Sequence, residues 1–171
     1  MAFVMINIGS NLGNRRLNLS RAMRMIGEEF GAFEISHVVE SAPSGFDSTN
    51  SFLNLGMAFH SELSPLKILR ELQGIEKKIS LASHRDSEGR YIDREIDIDI
   101  IAIDSEIIDT PELTLPHPRM AERDFVLVPM EELAPGWTHP VTGLTPRRCL
   151  VCSLPTAIKA TGVKIRNSVI Y

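Results

Sequence analysis

The chain has 171 residues, 43% hydrophobic and 23% charged, with a formal net charge of −4, enough for one domain with a substantial core. The acidic balance argues against a nonspecific nucleic-acid or anionic-membrane binder, whose surface must be basic. No segment has the charged, apolar, small-residue order of a secretory leader and no apolar run is long enough to span a bilayer, so a cytoplasmic protein is expected; a monomer or weak oligomer is expected as well.

Residues Phe3 to Ile8 predict a first strand, ended by the turn and cap residues Gly9-Ser10-Asn11-Leu12-Gly13-Asn14. A helix follows, with Leu19, Ala22, Met23, Ile26 and Phe30 at helical spacing and Gly31 as its stop. A second strand is expected from Phe33 to Glu40, closed by Ser41-Ala42-Pro43-Ser44-Gly45. The third, near Ser51 to Phe59, puts Leu53, Leu55, Met57 and Phe59 on one face and Phe52, Asn54 and Gly56 on the other. Ser64-Pro65 starts a second helix with a stripe of Leu66, Leu69, Leu72, Ile75 and Ile79, ending near Ser80. Leu81 to Asp93 is polar, contains Gly89 and is expected to be a functional loop.

The next segment carries the chemistry. In Asp93-Arg94-Glu95-Ile96-Asp97-Ile98-Asp99-Ile100 acids alternate with isoleucines, so Glu95, Asp97 and Asp99 line one strand face and the isoleucines bury the other. Two carboxylates this close repel, and a cation removes the penalty. Mg²⁺ suits such a pair, because it is commonly held by one or two carboxylates together with waters and substrate phosphates. Arg85, Arg90 and Arg94 precede the pair and Arg119 and Arg123 follow it, and guanidinium groups bind phosphate oxygens bidentately. Together these predict a nucleoside-triphosphate site. A Gly-x-x-x-x-Gly-Lys-Ser/Thr loop is absent, which excludes a P-loop kinase at motif level. On the residues alone two other readings stay open: a binding or regulatory module whose acidic strand is merely solvated, and a metal-dependent phosphohydrolase or nuclease using Asp97 and Asp99.

The element order β-α-β-β-α-β predicts an α+β fold with a ferredoxin-like core, an antiparallel sheet flanked by helices. A single domain over residues 1–152 is expected, with 153–171 as a C-terminal extension containing the strand-like Val163-Lys164-Ile165-Arg166. Cys149 and Cys152 form one isolated C-x-x-C, which lacks the four ligands of a structural zinc site and is expected to be two buried thiols.

Five segments, in order, resemble the 6-hydroxymethyl-7,8-dihydropterin pyrophosphokinase family of folate biosynthesis. They are Ile8 to Gly13, Phe52-Leu53-Asn54, Gln73-Gly74-Ile75-Glu76, Arg94 to Ile100, and Leu115-Pro116-His117-Pro118-Arg119-Met120 leading to Arg123-Asp124-Phe125. The resemblance implies transfer of pyrophosphate from ATP, the co-substrate, to the hydroxyl of 6-hydroxymethyl-7,8-dihydropterin, with release of AMP. It implies that Asp97 and Asp99 hold two Mg²⁺ ions. Phe52 and Phe125 would sandwich the pterin, with Asn54, Ser41 and Ser44 on its polar edge and Tyr91 closing over it. Gln73, Arg90, Arg94, His117 and Arg123 would meet the nucleotide. Where the family has a Gly-Arg-x-Arg run after the second helix, this chain has Ser80-Leu81-Ala82-Ser83, and Arg85 is the expected catalytic substitute. Phe52 also stands where the family often has tyrosine, which keeps the stacking surface and drops a hydroxyl.

Overall fold

The computed structural model describes residues 1–80, 88, 92–157 and 164–166. Arg85, Gly89, Arg90 and Tyr91 lie outside the described residues, so the expectations for the loop around them stay on sequence grounds.

The elements are β1 (Ala2–Ser10), α1 (Arg15–Phe30), β2 (Phe33–Ile35), β3 (Val38–Ser41), β4 (Phe52–Ser61), α2 (Pro65–Ile79), β5 (Asp97–Ile103), the short β6 (Ile108–Asp109) and β7 (Thr114–Leu115), a 3₁₀ turn at Met120–Glu122, α3 (Asp124–Leu133), α4 (Pro146–Ala157) and β8 (Lys164–Arg166). Strands run β5-β1-β4-β3-β8 across one sheet, and β2 also pairs with β4. Every pairing in it is antiparallel. With β2 and β3 taken as one broken strand, the core order is fourth, first, third, second, which is the ferredoxin-like α+β arrangement expected from the sequence.

The second strand is not continuous from Phe33 to Glu40. At the break, the Ser36 N–H donates to the Gly56 carbonyl at 3.0 Å, and its Oγ accepts from the Gly56 N–H at 2.9 Å. The His37 N–H leaves the sheet to donate to Glu132 at 2.9 Å. A hydroxyl thus replaces one rung of the ladder, a substitution that periodicity does not reveal.

Helices α1 and α2 cover one sheet face. Val4, Ile6, Ile8, Leu53, Leu55, Met57 and Phe59 from the central strands pack there with Leu19, Ala22, Ile26, Ile68, Leu72 and Ile75. The α2 stripe differs from the expected one: Ile68 is fully buried, and Leu66 is exposed. On the opposite face α3 and α4 bury Met5, Ala58, Ile101 and Ala102 against Val126, Leu127, Met130 and Cys149. Only Cys149 is buried; Cys152 is exposed, correcting the expected pair of buried thiols. Helix α3 comes so close to β4 that a Cβ at Gly56 would lie 2.5 Å from Pro129 Cβ, so only glycine fits. A bulge in β5 shifts the pairing with β1 between Met5 and Ile6. It lets Ile100 face α2 while Ile101 and Ala102 face α3, which accounts for the apolar run that follows the acidic alternation.

Helix α4 runs through residue 152, where the sequence reading closes the domain, and β8 adds to the outer edge of β3. Among the described residues, no helix is long and apolar enough to cross a membrane.

Candidate active site

Side chains on in-register residues of antiparallel strands share a face, and the register here builds a polar floor at the end of the sheet that α3 leaves open. Gly9 of β1 lies between Asn54 of β4 and Asp97 of β5, and Asn7 lies between Gly56 and Asp99. The floor therefore has two rows, Asn54–Gly9–Asp97 and Asn7–Asp99, the second ending at Gly56, where α3 closes over the sheet. Gly9 keeps the first row open, since a Cβ there would sit 3.1 Å from Asn54 Oδ1 and 3.3 Å from the Phe52 ring.

Around this floor stands a cavity lined by Asn7, Ser41, Ala42, Ser44, Phe46, Phe52, Asn54, Arg94, Asp97, Asp99, Arg123 and Phe125. Phe52 is 7% exposed but belongs to neither apolar cluster; its ring faces the cavity. Phe46, from the loop after β3, meets it edge-on with centroids 6.3 Å apart. Asn54 Nδ2 donates to Ser41 Oγ at 2.9 Å and to the Val39 carbonyl at 3.4 Å, which fixes the carboxamide. Arg119 Nη2 donates to Ser44 Oγ at 3.4 Å and so ties that loop to the turn before α3. Phe125 occupies the first turn of α3 and leans on the second apolar cluster.

The charges are paired. Arg94 Nη2 is 2.5 Å from Asp97 Oδ2 and Arg123 Nη1 is 3.3 Å from Asp99 Oδ2. The guanidinium carbons also lie over the rings of Phe52 and Phe125, at 5.3 Å and 5.7 Å from the centroids. Carboxylate repulsion, expected to need a cation, is here met by the protein's own arginines. Both arginine side chains are nearly sunk, 10% and 13% exposed, and desolvated guanidinium groups hold anions more strongly than surface ones. The buried Nε of Arg123 has no hydrogen-bond acceptor among the described residues, a donor that a phosphate oxygen would satisfy.

His117 Nε2 stands 3.9 Å from Asp99 Oδ2, while its Nδ1 accepts the Arg119 N–H at 3.1 Å, which leaves the proton on Nε2. Burial, reinforced by Arg123, pushes its pKa down to about 4, so the ring is a neutral donor at pH 7. From the sheet edge Glu76 of α2 accepts the Ile98 N–H at 2.6 Å. Burial, helped by the charges of Asp97 and Asp99, pushes its carboxyl up to about 8.

No group of three or more His, Cys, Asp or Glu side chains able to hold a metal occurs among the described residues. Asp97 and Asp99 still fit Mg²⁺, a hard cation that takes part of its shell from substrate phosphate and water.

The fold therefore brings Ser41, Ser44, Phe52, Asn54, Arg94, Asp97, Asp99, Arg123 and Phe125 to one cavity, with His117 beside Asp99. Gln73 sits on α2 with its side chain exposed and does not line the cavity. Glu95, expected on the acidic face, precedes β5 and instead accepts from Ser80 Oγ at 2.7 Å. Asn7 and Phe46 are lining residues that the sequence reading did not single out. A polar side chain inside the apolar run Val4-Met5-Ile6-Asn7-Ile8 was the available signal for the first.

A family model for 7,8-dihydro-6-hydroxymethylpterin-pyrophosphokinase matches residues 5–135. The chain is 42% identical over 142 residues to the 2-amino-4-hydroxy-6-hydroxymethyldihydropteridine pyrophosphokinase of Porphyromonas gingivalis, covering 82% of this chain and 95% of that protein. It is 34% identical over 141 residues to the protein of the same name from Aquifex aeolicus, covering 82% and 86%. Among solved structures it resembles wild-type HPPK-DHPS of Plasmodium falciparum, with a TM-score of 0.72 at 14% identity, over 97% of this chain and 47% of that one. This chain spans just under half of that longer protein, and the likeness concerns the fold alone.

Proposed function

The chain belongs to the 7,8-dihydro-6-hydroxymethylpterin-pyrophosphokinase family, and on that premise we propose how its cavity carries out the family reaction. The protein is a pyrophosphokinase of folate biosynthesis: it transfers pyrophosphate from ATP to the hydroxyl of 6-hydroxymethyl-7,8-dihydropterin and releases AMP. The observation that carries the assignment of roles is the meeting, around one floor, of two acids, two desolvated arginines and the rings of Phe52 and Phe125.

The flat pterin stacks between Phe52 and Phe125, with its polar edge toward Asn54, Ser41 and Ser44. Its hydroxymethyl group then points toward Asp97 and Asp99. Asp97 and Asp99 would hold Mg²⁺, two ions in the family pattern, which would supply charge neutralisation for the transfer. Arg94 and Arg123 turn from the carboxylates to donate hydrogen bonds to phosphate oxygens, and neutral His117 donates a hydrogen bond from Nε2–H to the nucleotide. The chain's task is positioning and charge compensation, which dominate phosphoryl transfer. Gln73 and Arg90 on the nucleotide, Arg85 on the transferring group and Tyr91 over the pterin are proposed from the sequence resemblance. The catalytic unit is residues 1–152, acting in the cytoplasm as a monomer or weak oligomer.

Incubation with ATP, Mg²⁺ and 6-hydroxymethyl-7,8-dihydropterin tests the assignment. AMP should form only when all three are present. Phosphate or nucleotide release that is indifferent to the pterin would instead mark a phosphohydrolase, and Mg²⁺-independent turnover would remove the metal role of Asp97 and Asp99.

A further inference from the structure

Asn7 is the feature of the site that the family reading leaves unused. It sits in the middle of β1, paired on one side with Gly56 and on the other with Asp99, and it is 6% exposed. Its Oδ1 is buried with no hydrogen-bond partner among the described residues, and the side chain lines the cavity. The next row of the same face is apolar, with Met5, Ala58 and Ala102 packed under α3. A leucine at position 7 would extend that packing without leaving a buried acceptor unpaired. Nothing among the described residues accounts for the amide, and buried polar groups in native proteins almost always find a partner.

The missing partner of an amide oxygen is a hydrogen-bond donor or a cation. Neither Asp99 nor Asp97 qualifies when ionised, and triphosphate oxygens are acceptors at neutral pH. Mg²⁺ has its carboxylates one position away. The pterin, by contrast, carries ring N–H groups and a hydroxymethyl O–H. Asn7 lies in the row beside Asn54 and next to Asp99, and lines the same cavity as Phe52 and Phe125.

We propose that Asn7 is a further pterin-binding residue, whose Oδ1 accepts a hydrogen bond donated by the pterin through a ring N–H or its hydroxyl. This rests on the reading that the pterin occupies this cavity, and it adds a floor contact to the stacking and edge contacts proposed above.

Calorimetry with Asn7→Ala and Asn7→Leu tests it, with Mg²⁺ and a non-hydrolysable ATP analogue saturating. Both variants should bind 6-hydroxymethylpterin about tenfold more weakly than wild type, the loss of one good hydrogen bond. Their affinity for the ATP analogue alone should stay within twofold. The 6-methyl analogue, which lacks the hydroxyl, separates the two donors. An equal loss for both pterins assigns the contact to a ring N–H, whereas a loss confined to the hydroxymethyl compound assigns it to the O–H. Unchanged pterin affinity in Asn7→Ala, with wild type binding normally, overturns the inference alone, and so does an equal loss of nucleotide affinity. If wild type binds no pterin, the parent assignment falls and the inference with it. Thermal melts of both variants identify misfolding, and Asn7→Ala, which introduces no new bulk, decides if Asn7→Leu does not fold.

Discussion

Glu76 and Ile98 join the second helix to the acidic strand: the carboxyl of Glu76 accepts the Ile98 backbone N–H at 2.6 Å. β5 is the edge of the sheet, where an N–H has no strand to pair with, so a side chain supplies the missing rung. The bond fixes the strand on which Asp97 and Asp99 alternate. It also buries a carboxyl beside two carboxylates, which is why its pKa is pushed up to about 8.

The sign of the resulting pH dependence follows from linkage. Between about 4.5 and 8 the folded state keeps a proton on Glu76 that the unfolded chain has released, so stability falls as pH rises through that window. Glu76→Gln keeps the acceptor and removes the titration. It should therefore be more stable than wild type above pH 8, by about 1–3 kcal/mol, and the two should converge toward pH 4.5. Urea denaturation at pH 5, 7 and 9 measures this; parallel curves would mean that Glu76 is ionised in the folded protein throughout.

His117 acts in the opposite sense. Its pKa is pushed down to about 4 by burial and by Arg123, so from about 6.5 to 4 the unfolded chain binds a proton that the folded one refuses. The stability this group contributes is complete above pH 6.5 and is lost as pH falls through 4, by up to about 3 kcal/mol. His117→Asn should flatten the acid limb of the stability profile. An acid limb as steep in the variant as in wild type would show that the ring protonates freely when folded.

Asp97→Ala should abolish AMP formation, because the acid is proposed to hold metal and no other group takes its place on that row of the floor. In metal-free buffer it should also lower stability by about 1–3 kcal/mol, since it takes from the sunken Arg94 guanidinium its 2.5 Å partner. This reverses the expectation from the sequence, where removing one of two neighbouring acids relieves repulsion. A more stable apo variant would mean that the acids repel despite their arginines.

Phe125→Ala should weaken pterin binding by about 1–3 kcal/mol, the range for loss of a stacking aromatic, and nucleotide binding far less. Titration calorimetry with each ligand separates the two. Equal losses would assign Phe125 to the apolar cluster under α3 and α4 that it touches.

The alternation of Asp97 and Asp99 with isoleucines, the amphipathic helices and the β-α-β-β-α-β order were all readable along the chain, because each depends on residues within a few positions of one another. So were Phe52 and Asn54, which had to leave the face that Leu53 and Leu55 bury. What the sequence could not supply was register. Asn7 borders Asp99 only because β1 and β5 pair where they do, and a slip of one residue would have turned it into the helix-covered core. The break at Ser36, the burial of Ile68 in place of Leu66 and the departure of Glu95 from the acidic face were likewise settled by partners distant in sequence: Gly56 and Glu132, the sheet beneath α2, and Ser80. The pairing of each acid with its own arginine belongs with these. Arg94 is three residues from Asp97, but Arg123 reaches Asp99 across 24 residues, a contact that exists only once α3 has packed on the sheet. Local periodicity determines which side chains can share a face, and long-range packing decides which of them meet.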